Sequence, residues 1–150
     1  MKTVNKSVLI WYSAAQMFDL VVDVPSYPKF LPWCDAATAL QQTPAGAMAE
    51  VSINIGGLRQ GFSTRNTHVI EDSGQRWVKM QLVKGPFSSL HGSWKFTPVG
   101  EPGQNACRVE LQLHYGFNSP ALATVVGPVF DKIASTLVDA FVKRAEQVYG

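Results

Sequence analysis

Cys107-Arg108-Val109-Glu110-Leu111-Gln112-Leu113-His114-Tyr115-Gly116-Phe117, followed after Asn118 by Ser119-Pro120, is the passage that decides the fold. Cys107, Val109, Leu111, Leu113 and Tyr115 fall on one side, and Arg108, Glu110, Gln112 and His114 on the other. That is the period of a strand with one covered face and one wet face. Ser119 then offers a capping oxygen, and Pro120 takes the first helical position, where its missing N–H costs nothing. Beyond it the period changes. Leu122, Val126, Val129, Phe130, Ile133, Leu137, Val138, Phe141 and Val148 form one apolar stripe on a helix expected to reach Tyr149, kinked at Gly127-Pro128. A sheet with one apolar face and a rod with one apolar stripe bury both by laying the stripe on the face.

Upstream, β-forming segments alternate with turn signals in the manner of an antiparallel meander. Strands are expected near Ala36–Gln42, Met48–Ile55, Arg59–Glu71, Arg76–Val83 and Ser88–Thr97, all before the strand 107–117. The breaks are Thr43-Pro44-Ala45-Gly46, Gly56-Gly57, Asp72-Ser73-Gly74, Lys84-Gly85-Pro86, and Pro98 to Asn105. Thr3–Tyr12 reads as a first strand. Ser13-Ala14-Ala15-Gln16 has the form of a capping box, with Tyr12 and Met17 as a hydrophobic staple. A helix is expected from Ala14 to Val24, burying Met17, Leu20, Val21 and Val24 and ended by Pro25. Pro25, Pro28 and Pro32 then forbid a strand and allow at most a short helical turn. The predicted order is β-α-α-β6-α: an α+β fold in which a curved antiparallel sheet wraps a long C-terminal helix, as one domain over 1–150.

Composition narrows the function classes. Hydrophobic residues make up 46% and charged residues 16% of the 150, against about 25% charged in an average domain. Disorder of the whole chain is excluded by that balance. No stretch approaches the ~18–20 uncharged apolar residues of a membrane-spanning helix. Net charge is +2, with 13 basic and 11 acidic residues scattered along the chain, so no basic stripe for specific DNA binding is visible. Cys34 and Cys107 form no CxxC pair, and two reduced buried thiols are expected. The N-terminal residues have neither signal-peptide nor transit-peptide character, which points to a bacterial cytoplasmic protein or the mature form of an imported one.

Catalytic chemistry has thin support. His68, His91 and His114 lie on separate β segments, and Asp35 follows the proline loop where a turn-capping role suffices. No Ser-His-Asp order, HExxH or glycine-rich phosphate loop occurs, and no metal-ligand spacing. No catalytic residue is assigned. The proline loop carries more information. Tyr27, Phe30, Leu31 and Trp33 sit on a stiffened segment that loses little entropy on ordering, fit either to pack on the core or to line an entrance. A twisted sheet and a rod also do not match in shape along their whole length, and the gap between them is filled by side chains or left as a cavity.

Tyr27-Pro28-Lys29-Phe30-Leu31-Pro32-Trp33-Cys34 resembles the YPxFLPWC signature of the coenzyme-Q-binding START-like proteins, a grouping that includes the bacterial ribosome-association toxins. Weaker matches are Gly85-Pro86-Phe87, Leu90, Gly92, Trp94-Lys95-Phe96, Tyr115-Gly116-Phe117, and Ala140-Phe141 through Tyr149-Gly150. The chain departs from the pattern at Lys29, where many members are acidic, and at Gly116, where relatives often carry a charge. The resemblance implies a helix-grip fold with a hydrophobic tunnel, binding of a polyprenyl quinone or other lipid, and support of respiratory electron transfer as a carrier or chaperone. It also implies two alternatives: a block on the joining of ribosomal subunits, or a polyketide-cyclase-like enzyme. Phe30, Leu31, Trp33, Phe62, Trp94, Tyr115, Val126, Phe130 and Leu137 are the expected ligand walls, with Tyr115 or Trp94 as donors to a quinone carbonyl. A tail of about eight isoprene units exceeds a typical pocket of ~300–1,000 Å³, so part of it is expected to protrude, be shared with a second subunit, or touch a membrane surface transiently.

Overall fold

The structure, a computed structural model, describes residues 2–55 and 57–150. Its elements are β1 (Lys2–Ile10), α1 (Ala14–Val22), a 3-10 turn (Val24–Lys29), β2 (Cys34–Thr43), β3 (Gly46–Ile55), β4 (Leu58–Ile70), β5 (Arg76–Lys84), β6 (Phe87–Pro98), β7 (Cys107–Phe117), α2 (Pro120–Val125) and α3 (Gly127–Tyr149). The expected break at Gly56-Gly57 falls partly on Gly56, outside the described residues. The strands form one antiparallel sheet in the order β1-β7-β6-β5-β4-β3-β2. Only β1 leaves chain order, crossing to pair Lys2–Ile10 with Tyr115–Cys107. The predicted helix-grip arrangement is the observed one.

Local sequence accounts for the ends of the elements. Gln16 N–H donates to Ser13 Oγ at 3.1 Å and Ser13 N–H to Gln16 Oε1 at 2.8 Å, completing the predicted capping box. α1 stops at Val22, two residues before the expected end. Asp23, at φ −82° and ψ 65°, leaves the helical region, and the chain re-enters a tighter 3-10 turn at Val24-Pro25. At the other end the expected kink lies between α2 and α3, where Val126 keeps helical dihedrals (φ −94°, ψ −30°) and its N–H donates to the Leu122 carbonyl at 2.8 Å. Pro128 has no N–H for the Thr124 carbonyl, and its ring crowds that carbonyl, so α2 ends at Val125 and α3 starts at Gly127. Val148 was expected in the buried stripe but is 48% exposed. The last turn of α3 packs through Ala145 and Tyr149 instead, and Tyr149 Oη donates to the Gln16 carbonyl at 2.9 Å.

The alternation read in 107–117 is the alternation seen: Cys107, Val109, Leu111, Leu113 and Tyr115 are buried. Gly92 on β6 faces Leu113, and a Cβ there would lie 2.2 Å from the Gln112 carbonyl oxygen, so only glycine permits that approach. The apolar interior has two centres. One joins α1 to the sheet and the end of α3 through Met17, Phe18, Val21, Trp94, Phe96 and Phe141. The other joins the start of α3 to the sheet through Phe87, Leu90, Leu113, Tyr115, Phe130 and Ile133. The gap expected from sheet–rod mismatch lies between them.

Candidate functional site

Between the two centres is an apolar void of about 110 Å³. α3 supplies Phe130, Ile133, Ala134, Leu137 and Phe141, the sheet supplies among others Ile53, Phe62, Met80, Leu90, Trp94 and Leu111, and the proline segment supplies Val24, Tyr27, Leu31 and Trp33. A second space of about 210 Å³ lies towards the surface beneath Pro86, Phe87, Phe117, Val125, Val126 and Val129. The two share Ile53, Phe62 and Phe130 as walls. The outer one in turn shares Gln60, Phe62 and Pro86 with an open groove of about 640 Å³ running past Lys84 and Gly85. Phe62 borders all three spaces. Gly85 has φ +154°, and a Cβ on it would sit 2.6 Å from Phe62 Cβ, so the loop closes on Phe62 because residue 85 has no side chain.

The proline segment forms the inner lid. Phe30 and Leu31 N–H groups both donate to the Tyr27 carbonyl, at 3.2 and 2.9 Å. Asn54 N–H donates to the Trp33 carbonyl at 2.8 Å, which ties the segment to the sheet. Tyr27 Oη donates to the Val21 carbonyl, and burial pushes its hydroxyl pKa above the ordinary tyrosine value. Tyr27, Phe30 and Phe141 make a cluster of edge-on rings at centroid distances of 5.2–6.1 Å.

Of the nine residues picked from the sequence, Leu31, Trp33, Phe62, Trp94, Phe130 and Leu137 line the inner void, and Val126 lines the outer one. Phe30 and Tyr115 line neither. Phe30 is spent on Tyr27 and Phe141, with the Arg144 guanidinium 5.1 Å over its ring. Tyr115 Oη donates to Asp131 Oδ1, and Lys2 Nζ reaches Asp131 Oδ2, so the tyrosine is not the donor expected for a guest. Burial and the Asp131 carboxylate push the Tyr115 hydroxyl up. Burial opposes ionisation of Asp131, but the bonds from Lys2 and Tyr115 outweigh it and hold the carboxyl below its usual range.

The sequence reading passed over two polar walls. Thr64 and Asn66 are 6% and 8% exposed and line the inner void. Thr64 Oγ1 donates to Asn66 Oδ1 at 2.7 Å. The signal was present: strand alternation puts both on the face of Phe62, itself a named wall.

The titratable groups weighed for catalysis do not meet at the void. Asp35 is held below the usual carboxylate range, chiefly by the Ser52 hydroxyl, and pairs with Arg59 at 2.8 Å. His68 lies edge-on to Phe18 at 5.6 Å, and burial lowers its pKa. His114 stacks on His91 at 4.9 Å on the outer face, and its Nδ1 lies 3.1 Å from Thr3 Oγ1. Cys34 and Cys107 are free and buried; burial raises both thiols, Cys107 to about 11. Among the described residues no cluster of His, Cys, Asp and Glu is placed to hold a metal ion.

Residues 10–142 match the family described as polyketide cyclase / dehydrase and lipid transport. The chain belongs to that family. It is 42% identical over 147 residues to the ribosome association toxin RatA of Pseudomonas aeruginosa, covering 98% of this chain and 97% of that one. It is 24% identical over 147 residues to the mitochondrial coenzyme Q-binding protein COQ10 homolog B of Xenopus laevis, covering 97% of this chain and 59% of that protein. Among solved structures, the Zhui aromatase/cyclase from Streptomyces superposes with a TM-score of 0.81 at 12% identity, over 99% of this chain and 96% of that one. The family's description thus covers both cyclase or dehydrase chemistry and lipid transport. No helix of the described residues is long and apolar enough to cross a membrane.

Proposed function

We propose that this chain is a binding and delivery protein for a polyprenyl quinone or a lipid of similar shape, working without a catalytic step. The observation that carries this is the apolar inner void beneath the proline segment, together with the apolar outer space that shares Ile53, Phe62 and Phe130 with it. A ring-sized head fits the inner void, and an isoprenoid tail gains ~0.8 kcal/mol for each methylene-sized unit it buries on the way out. A tail longer than these spaces emerges beside Val125, which is 61% exposed, where a membrane surface or receiving protein can take it up. The relative named for coenzyme Q binding supports the choice of ligand. Against a cyclase stands the position of Asp35, His68 and His114, each away from the void. The test is lipid extraction and mass spectrometry of protein purified from its native host, with quinone titration in vitro. Repeated recovery without lipid, together with no quinone binding, refutes the reading.

A second reading, association with a ribosomal subunit, is favoured by one observation besides the relatives named for it. Basic residues that are scattered in the sequence are gathered by the sheet. Arg65, Lys79, Lys95 and Arg108 occupy outward positions on β4 to β7, beside the His91–His114 stack. Lys79 and Lys95 lie 5.3 and 5.1 Å from the Trp77 ring. Glu110 is the one acidic side chain on the outward positions of these strands among the described residues, 4.0 Å from Lys95. A basic face around the half-buried Trp77, whose Nε1 donates to Glu71 at 3.2 Å, suits a phosphate backbone. Sucrose-gradient profiles after overexpression decide it: unchanged subunit joining removes this reading.

A further inference from the structure

We infer that Thr64 and Asn66 are the polar anchor of the inner void, and that the guest enters head first with an uncharged oxygen acceptor, such as a carbonyl, on the Asn66 amide. The inference rests on the void being a ligand site and adds which head it accepts and which way the guest lies. Asn66 is 8% exposed in surroundings that are otherwise apolar or aromatic. An amide buried there costs free energy unless it is hydrogen-bonded. Its oxygen is served, because Thr64 Oγ1 donates to Oδ1 at 2.7 Å. With Oδ1 turned to Thr64, Nδ2 points away from it. Among the described residues Nδ2 makes no hydrogen bond, and the residue faces the void. Two N–H donors are therefore held ready where a guest's head would lie.

The chemistry of the walls limits the head further. No Lys, Arg, His, Asp or Glu lines the inner void among the described residues. A carboxylate or phosphate brought there would be desolvated with no opposite charge to meet it. A neutral ketone, quinone or ester oxygen asks only for a donor. The apolar outer space adjoins the void at Ile53, Phe62 and Phe130, and the guest's apolar chain trails that way.

The test titrates the full chain, stripped of lipid, with three probes followed by tryptophan fluorescence: ubiquinone with a two-isoprene tail, an isoprenoid hydrocarbon of similar length with no oxygen, and palmitate at neutral pH. The native chain is expected to bind the quinone more tightly than the hydrocarbon and to bind palmitate more weakly than either. Asn66→Leu is expected to weaken the quinone about 3- to 10-fold, the share of one hydrogen bond, while hydrocarbon binding holds or improves. Thr64→Val, which releases the amide without removing it, is expected to give a smaller loss in the same direction and serves if the first variant folds poorly. Quinone binding that is unchanged in both variants, or weakened equally with hydrocarbon binding, overturns the anchor while leaving the cavity reading intact. Palmitate bound as tightly as the quinone overturns the neutral head. A native chain that binds no probe overturns the cavity reading itself, and the anchor with it.

Discussion

Ala134 sits on α3, 1% exposed, with its side chain on the wall of the inner void. Ala134→Leu places three more carbon atoms where the structure holds none. At ~24 cal/mol per Å³ of cavity, a void of about 110 Å³ costs the fold about 2.6 kcal/mol. Three buried carbons at ~0.8 kcal/mol each contribute about 2.4 kcal/mol, so the two routes agree on the most that filling can gain. Fixing the leucine rotamer takes back ~0.5–1 kcal/mol, and imperfect fit takes more. A net gain on the order of 1 kcal/mol raises Tm by about 2–4 °C in a chain of this length. The assay is thermal unfolding of lipid-free protein, since a bound guest would stabilise the native chain by mass action and hide the effect. The same variant is expected to lose at least about tenfold in quinone affinity, because its side chain takes the place of the head. Buried small-to-large changes ordinarily destabilise, so the sign is diagnostic. A Tm lowered by several degrees with quinone binding intact would show that the space at Ala134 is not where a guest sits.

Phe130 both packs and lines. Its ring lies 4.7 Å from Tyr115 and 5.1 Å from Phe87, and it borders both spaces. Phe130→Ala is expected to cost about 3 kcal/mol in urea unfolding, the low end for a buried phenylalanine because one side already faces empty space, and to abolish ligand retention; a full loss of stability with unaltered binding would assign it to packing alone. Asp131 gives a pH signature. Its folded pKa is depressed below the unfolded carboxylate value of ~3.9, so its contribution is complete above that value and lost as pH falls through the folded one. The stability difference between the native chain and Asp131→Asn is therefore expected to be flat from about pH 8 to 5 and to shrink below about pH 4; a difference that persists undiminished at about pH 2 contradicts the assignment.

The parts of the fold that were legible are those set by neighbours in sequence. The Ser13–Gln16 box, the Ser119-Pro120 start and the alternation of 107–117 depend on residues a few positions apart, and each stands as read. Gly127-Pro128 marked the place of the interruption, because the missing proline N–H and the ring's clash with the carbonyl four residues back are local effects. The site was harder for a definite reason. Periodicity tells which face of an element is covered, not whether a covered side chain meets a void or another side chain. Phe30 and Tyr115 were correctly inside, yet one is spent on Phe141 and the other on Asp131, contacts between segments far apart in the chain. Thr64 and Asn66 failed the opposite way: their positions were readable, but polar residues were sought on the wet face.

The same alternation explains how two readings of function coexist on one sheet without competing for residues. On β4, Thr64 and Asn66 turn inward to the void while Arg65 between them turns outward; on β5, Val78 and Met80 face in while Trp77 and Lys79 face out; on β6, Trp94 and Phe96 flank outward Lys95. Inward positions face the two helices, the proline segment or the void, and outward ones face none of these. A charge placed outside therefore leaves the void unchanged to first order, and a carbon added inside leaves the basic face unchanged. Basic side chains collected on the outer strands cannot be explained by the needs of a buried guest, since none of them reaches it. Nor can a lone amide donor among apolar walls be explained by a phosphate-binding face on the far side. The two surfaces differ in chemistry and are separated by the thickness of one sheet, so the two proposed readings can be tested by substitutions on either side, each read independently of the other.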